Sequence, residues 1–84
     1  MTAADTGRYL AADGGGFRLF VADGHVYVQW MTARTAHYAI PVGRDSLVVR
    51  ADRSTVVVER DAAGRAVALG RSWGGSLPAR YVRQ

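Results

Sequence analysis

The stretch VVVERDAAGRAVAL, Val56 to Leu69, decides how this chain is read. Two apolar runs rich in β-branched residues flank a charged knot, ERDAAGR. Either Glu59 and Asp61 are paired carboxylates set for acid–base work, or the knot is the turn of a β-hairpin. The two acids are i,i+2 on an extended segment and could share a face, yet no metal-ligand cluster surrounds them. Gly64 suits the left-handed position of a three- to five-residue loop. Asp61 suits an Asx-type bond to its own backbone. The reading is a turn, and both acids are structural.

Working outward, the rest of the chain repeats this grammar. Glycine and aspartate punctuate runs that alternate with period two: GRYLAA, FRLFVA, HVYVQWM, AHYAIPV, SLVVRA, STVVVER, RAVALG and LPARYVR. No segment carries a helix-length apolar stripe at period 3.6. A short helical turn is conceivable only at the start, where Thr2 or Thr6 could cap it. Asp23-Gly24 sits between FRLFV and HVYVQW and predicts a two-residue type I′ hairpin. Asp52-Arg53 predicts a second hairpin with weaker turn chemistry. Sequential strands usually pair, so the expected fold is all-β: an antiparallel meander of about seven or eight strands, curled into a small barrel or half-barrel.

Alternation divides the side chains. One face carries Phe17, Leu19 and Val21, then Val26, Val28 and Trp30, Tyr38 and Ile40, Leu47 and Val49, Val56 and Val58, and Val67 and Leu69. These are the expected core. The opposite face carries Arg18, His25, Gln29, His37, Arg50 and Glu59, together with Phe20, Tyr27 and Met31. That second, partly aromatic stripe is a candidate interaction surface, and Trp73 in the least β-like segment, SWGGSLP, joins it.

Composition bounds the function. The 84 residues are 49% hydrophobic, enough for one folded β-domain spanning 1–84 with one modest core. Stability of so short a chain needs help from a partner subunit, a parent domain or closure of the sheet. The absence of cysteine excludes disulfides and thiolate metal sites. No run approaches the roughly 20 apolar residues of a membrane-spanning helix. The start, MTAADTGRYL, lacks the basic head and apolar core of a signal peptide. Formal charge is +4, and all 11 basic residues are arginine. They are dispersed and interleaved with acids, as on an ordinary solvated surface. Gly74-Gly75 lacks the strand–loop–helix and the Lys-Ser/Thr of a phosphate loop. Ser72 and Ser76 lack a convincing base, since His25 and His37 belong to strands. His37 is expected to be half-buried and hydrogen-bonded across a strand. No catalytic, metal or cofactor site is assigned.

GRY at Gly7 to Tyr9, IPVGRDSLVV at Ile40 to Val49, and VVERDAAGRAVAL at Val57 to Leu69 together resemble a known pattern. It is that of the small C-terminal β-domain of β-lactamase-like serine hydrolases, related to lipocalin-like modules that follow other bacterial hydrolases and peptidases. The likeness covers nearly the whole chain and rests on turn positions; Val58 stands where the pattern often has phenylalanine. In that family the nucleophilic serine and its lysine and tyrosine partners belong to the preceding hydrolase domain, and no lysine occurs here. The resemblance therefore implies a non-catalytic accessory or protein-interaction domain. Gly7, Tyr9, Pro41, Gly43, Asp61 and Gly64 carry over as structural positions only. The expected partners are a parent hydrolase domain or a second copy. The alternatives are a barrel that binds single-stranded nucleic acid or a module for a small ligand or sugar. For nucleic acid, Phe20, Tyr27, Trp30, Tyr38 and Trp73 would stack bases and Arg18, Arg50 and Arg71 would meet phosphates.

Overall fold

In the computed structural model, which describes residues 3–74 and 78–84, the chain is a closed antiparallel barrel of eight strands in sequence order. A short 3-10 turn, Ala3–Asp5, leads into β1 (Gly7–Leu10), β2 (Gly16–Ala22), β3 (His25–Trp30) and β4 (His37–Pro41). There follow β5 (Ser46–Val49), β6 (Ser54–Arg60), β7 (Ala66–Ser72) and β8 (Ala79–Arg83). β8 pairs back onto β1, with Tyr9 opposite Arg83 and Leu10 opposite Val82. Closure removes the edges that runs such as FRLFV and STVVV would otherwise expose. No helix among the described residues is long and apolar enough to cross a membrane.

The hairpins form where turn chemistry places them. Asp23 and Gly24 have φ of 52° and 78°, the paired positive angles of a type I′ turn, and Ala22 faces His25 across it. After β6, the Asp61 carboxylate accepts the N–H groups of Ala63 and Arg65, each at 2.9 Å, and Gly64 takes φ 83°. The Asp52-Arg53 turn is wider than a two-residue hairpin. Its loop is 50–53, closed by Val49 opposite Ser54, with Arg53 at φ 59°. At Gly16 the constraint is space. A Cβ there would collide with the Tyr9 carbonyl oxygen and the Leu10 side chain across the β1–β2 pair.

An eight-stranded barrel is just wide enough for side chains to fill it. Tyr9, Phe17, Leu19, Val28, Leu47, Val49, Val56 and Leu69 do so, all essentially inaccessible to solvent. Four expected core positions are corrected: Tyr38, Ile40, Val67 and Val21. On β4, Ala39 points inward opposite Val26 and Val49, while Tyr38 and Ile40 point outward. The register decides this: Ala39 pairs with inward Val26, so its chain neighbours Tyr38 and Ile40 face out. On β7 the register shifts between Glu59 and Arg60, leaving Val67 unpaired, so that Ala66 and Leu69 are the inward pair instead of Val67 and Leu69. Val21 lies on the inward register opposite Val26 but close to the end of its strand, and it is 40% exposed.

Alternating strand directions give the barrel two unlike ends. The lower end gathers the Ala3–Asp5 turn, the end of β8 and the loops 23–24, 42–45 and 61–65; the upper end gathers the loops 11–15, 31–36 and 50–53 and the end of β7.

Candidate functional site

The outward faces of β2, β3 and β4 form an aromatic wall. Cross-strand register places Phe20 opposite Tyr27, and Tyr27 opposite Tyr38. Phe20 and Tyr27 stack at 5.5 Å between centroids, and Tyr38 meets Tyr27 edge-on at 6.0 Å. Arg18 lies over the Phe20 ring at 4.5 Å and donates to Gln29 Oε1 at 2.9 Å. Beyond Tyr38 the Arg50 N–H donates to the Tyr38 carbonyl, which sets Arg50 beside the row. Arg8 faces Arg18 across β1 and β2. The Tyr38 hydroxyl and His25 Nδ1 are hydrogen-bonded at 3.2 Å. The cross-strand bond expected of His37 is thus made by His25. His37 instead sits on the inward register opposite Val28, half-buried, because β4 is turned over. Outward Ile40 and Val48, which pair with each other, and then Val57 on β6, carry the apolar strip onward. The outward positions of β1 to β4 contain no acidic residue.

At the upper end a cleft of about 410 Å³ opens between the 11–16 loop and the ends of β3, β7 and β8. Trp30, Met31, Arg71 and Tyr81 line it with Asp13 and Thr32. Phe17 lies beneath, in edge contact with Trp30 at 4.8 Å and with Tyr81 at 5.0 Å. The Arg71 guanidinium sits between two indoles, 3.9 Å from the Trp30 ring and 4.0 Å from the Trp73 ring. It pairs with Asp52 Oδ2 through Nη2 and donates to Ser54 Oγ through Nε. Burial works against the Asp52 charge. Hydrogen bonds from the Ser54 hydroxyl and N–H, together with Arg71, outweigh it and hold the carboxyl below its usual range.

The lower end is tied shut. Arg60 holds both oxygens of buried Asp5, at 2.9 and 3.3 Å, along with Asp45 at 2.9 Å and the Gly64 carbonyl at 3.0 Å. Those hydrogen bonds, led by the one to Asp5, raise the Arg60 pKa further above its ordinary value. Arg83 donates to the carbonyls of Ala4, Thr6 and Ala66. The Tyr9 hydroxyl donates to the Asp5 carbonyl at 2.6 Å, and burial pushes its pKa up.

This geometry separates residues that the sequence groups together. Phe20 and Tyr27 belong to the wall, whereas Met31 and Trp73 belong to the upper end, so the expected interaction stripe is two surfaces. The five rings and three arginines of the nucleic-acid reading divide the same way, with Trp30, Trp73 and Arg71 away from the wall. Glu59 and Asp61 do not meet: Glu59 binds Arg80 bidentately on the outside at 2.9 and 3.0 Å, and Asp61 turns into its loop. Ser72 ends β7 at the upper end while His25 begins β3 at the lower end. Ser76 lies with Gly75 and Leu77 outside the described residues. Among the described residues no group of three or more His, Asp or Glu is placed to hold a metal ion. The Arg71 cluster is the feature that strand-by-strand reading misses. Its signal is an arginine that continues the inward alternation after Leu69.

Compared with family models, curated proteins and solved structures, the chain matches none of them.

Proposed function

We propose that this barrel is a non-catalytic interaction module that seats a partner protein domain on its aromatic wall. The observation that carries the reading is the row Phe20–Tyr27–Tyr38 on three adjacent strands, rimmed by Arg8, Arg18 and Arg50. Tyr, Phe and Arg are the residue types that concentrate binding energy at protein interfaces. The interior is full, so the outside of the barrel is where binding area remains. The apolar strip continuing through Ile40, Val48 and Val57 is broader than a base-stacking row requires, which favours a protein over a nucleic-acid strand.

Charge selects the kind of partner. A second copy docked wall to wall across a two-fold axis would set arginines against arginines, and such like-charge contacts cost several kcal/mol. An apolar surface with an acidic rim complements the wall. The resemblance to the C-terminal module of serine hydrolases makes a β-lactamase-like hydrolase domain the first partner to test. Titration calorimetry of this chain against a β-lactamase-like hydrolase domain is expected to give a micromolar or tighter complex that weakens with salt. The Tyr27→Ala/Tyr38→Ala double variant should lose it. Turnover of ester, peptide or β-lactam substrates by the barrel alone, abolished by Ser72→Ala, would refute the non-catalytic reading.

A further inference from the structure

The upper cleft has chemistry that neither the wall nor the fold explains. Its floor and back are aromatic, from Trp30 and Tyr81, yet its rim is polar on opposite sides. Arg71 uses Nε and Nη2 for Ser54 and Asp52, and Nη1 has no protein partner among the described residues. Asp13 spends Oδ1 on the Gly15 N–H at 2.8 Å, which leaves Oδ2 as an acceptor on the facing loop. The Thr32 hydroxyl stands on the same rim.

Each ligand class meets this inventory differently. A phosphate or carboxylate would find Arg71 already neutralised by Asp52 and would face the Asp13 carboxylate. A cation would find Arg71 on the Trp30 ring face it would need. A purely apolar molecule would bury the free Arg71 donor and the Asp13 acceptor without partners, at a cost in desolvation. A neutral polyol ring avoids the charge and desolvation conflicts and does not need the Trp30 face that Arg71 covers. Its C–H face suits the Tyr81 ring, and its hydroxyls both donate, to Asp13, and accept, from Arg71. A cleft of about 410 Å³ is within the usual range of small-ligand sites, which recur at barrel mouths. We propose that the upper mouth is a carbohydrate subsite that takes a neutral sugar ring. It is a second site, separate from the wall and independent of what docks there.

The test is a titration of the whole chain with neutral mono- and disaccharides, read by tryptophan fluorescence and by backbone and indole NMR shifts. Glucose, galactose, mannose, N-acetylglucosamine and their common disaccharides serve as probes, with inorganic phosphate as the anion control. At least one sugar is expected to give a saturable response centred on Trp30, Tyr81 and the 11–16 loop, with Kd of about 1 mM or tighter. Asp13→Ala, in an exposed loop where folding is not at stake, should weaken it about tenfold. The Tyr27→Ala/Tyr38→Ala wall variant should bind sugar unchanged, so the two proposals fail separately. No saturable response to any sugar up to about 100 mM, tighter binding of phosphate, or indifference to Asp13→Ala would each overturn the assignment.

Discussion

The lower end and the aromatic wall are built from the same residue types, tyrosine and arginine, and use them in opposite ways. At the lower end Tyr9, Arg60 and Arg83 spend their donors on Asp5, Asp45 and the backbone carbonyls of Ala4, Asp5, Thr6, Gly64 and Ala66. The protein saturates them, and the N-terminal turn is fastened under the barrel. On the wall, Arg8 and Arg50 are exposed, Tyr38 is 36% exposed, and the rings contact mainly one another. Composition alone does not separate a fastening from a docking surface. The separation comes from burial: at the lower end the donors close on buried Asp5 and on backbone carbonyls, whereas Arg8 and Arg50 on the wall stay exposed.

The sharpest break in that comparison is Arg60→Ala. The Asp5 side chain is 4% exposed, and the substitution removes the ion pair and both hydrogen bonds that Arg60 gives it. The expected loss of stability is the largest of this set, because the same change also removes the bonds to Asp45 and the Gly64 carbonyl. Urea denaturation measures it; a loss no larger than that of a surface variant would show the lower end is not a fastening. Tyr9→Phe keeps the ring and removes one buried donor, so about 1 kcal/mol is expected by the same method.

Asp52 at the upper end extends the comparison to pH. Its folded-state pKa is depressed, so its contribution is present above the unfolded value of about 4 and is lost as pH falls through the folded value. Thermal melts of wild type and Asp52→Asn should therefore differ at about pH 6 and converge as pH falls through the depressed folded-state value. A gap independent of pH would mean that the Asp52 charge is not what holds Ser54 and Arg71. Smallest in stability is Tyr38→Ala on the wall, expected at about 0.5–1 kcal/mol for a half-exposed ring. A cost rivalling that of Arg60→Ala would make Tyr38 part of the fold and not of a docking surface.

The eight strands were legible because alternation and turn residues act locally. Asp23-Gly24 and the Asp61–Gly64 loop specify their own backbone angles, and neighbouring strands then pair in order. What stayed hidden depends on distant parts of the chain. The outward turn of Tyr38 follows from the pairing of Ala39 with inward Val26, a register that the β4 residues do not report. The unpaired Val67 follows from a register shift against β6. Arg60 and Asp5 are 55 positions apart, and Trp30, Arg71 and Tyr81 come from three strands that meet only once the barrel closes. Of the candidate interaction residues, Phe20 and Tyr27 share one outward face. Met31 and Trp73 were placed with them because an alternation pattern identifies a face but not an end.

The central claim is that the wall binds a partner protein while the lower end holds the fold. Calorimetric titration of a β-lactamase-like hydrolase domain, the proposed partner, with wild type, Tyr27→Ala/Tyr38→Ala and Tyr9→Phe tests it most directly. The account predicts that the wall variant loses about a hundredfold in affinity while staying folded, and that Tyr9→Phe binds as wild type although it melts earlier. Equal affinity for wild type and the wall variant, or a loss in Tyr9→Phe instead, would contradict it.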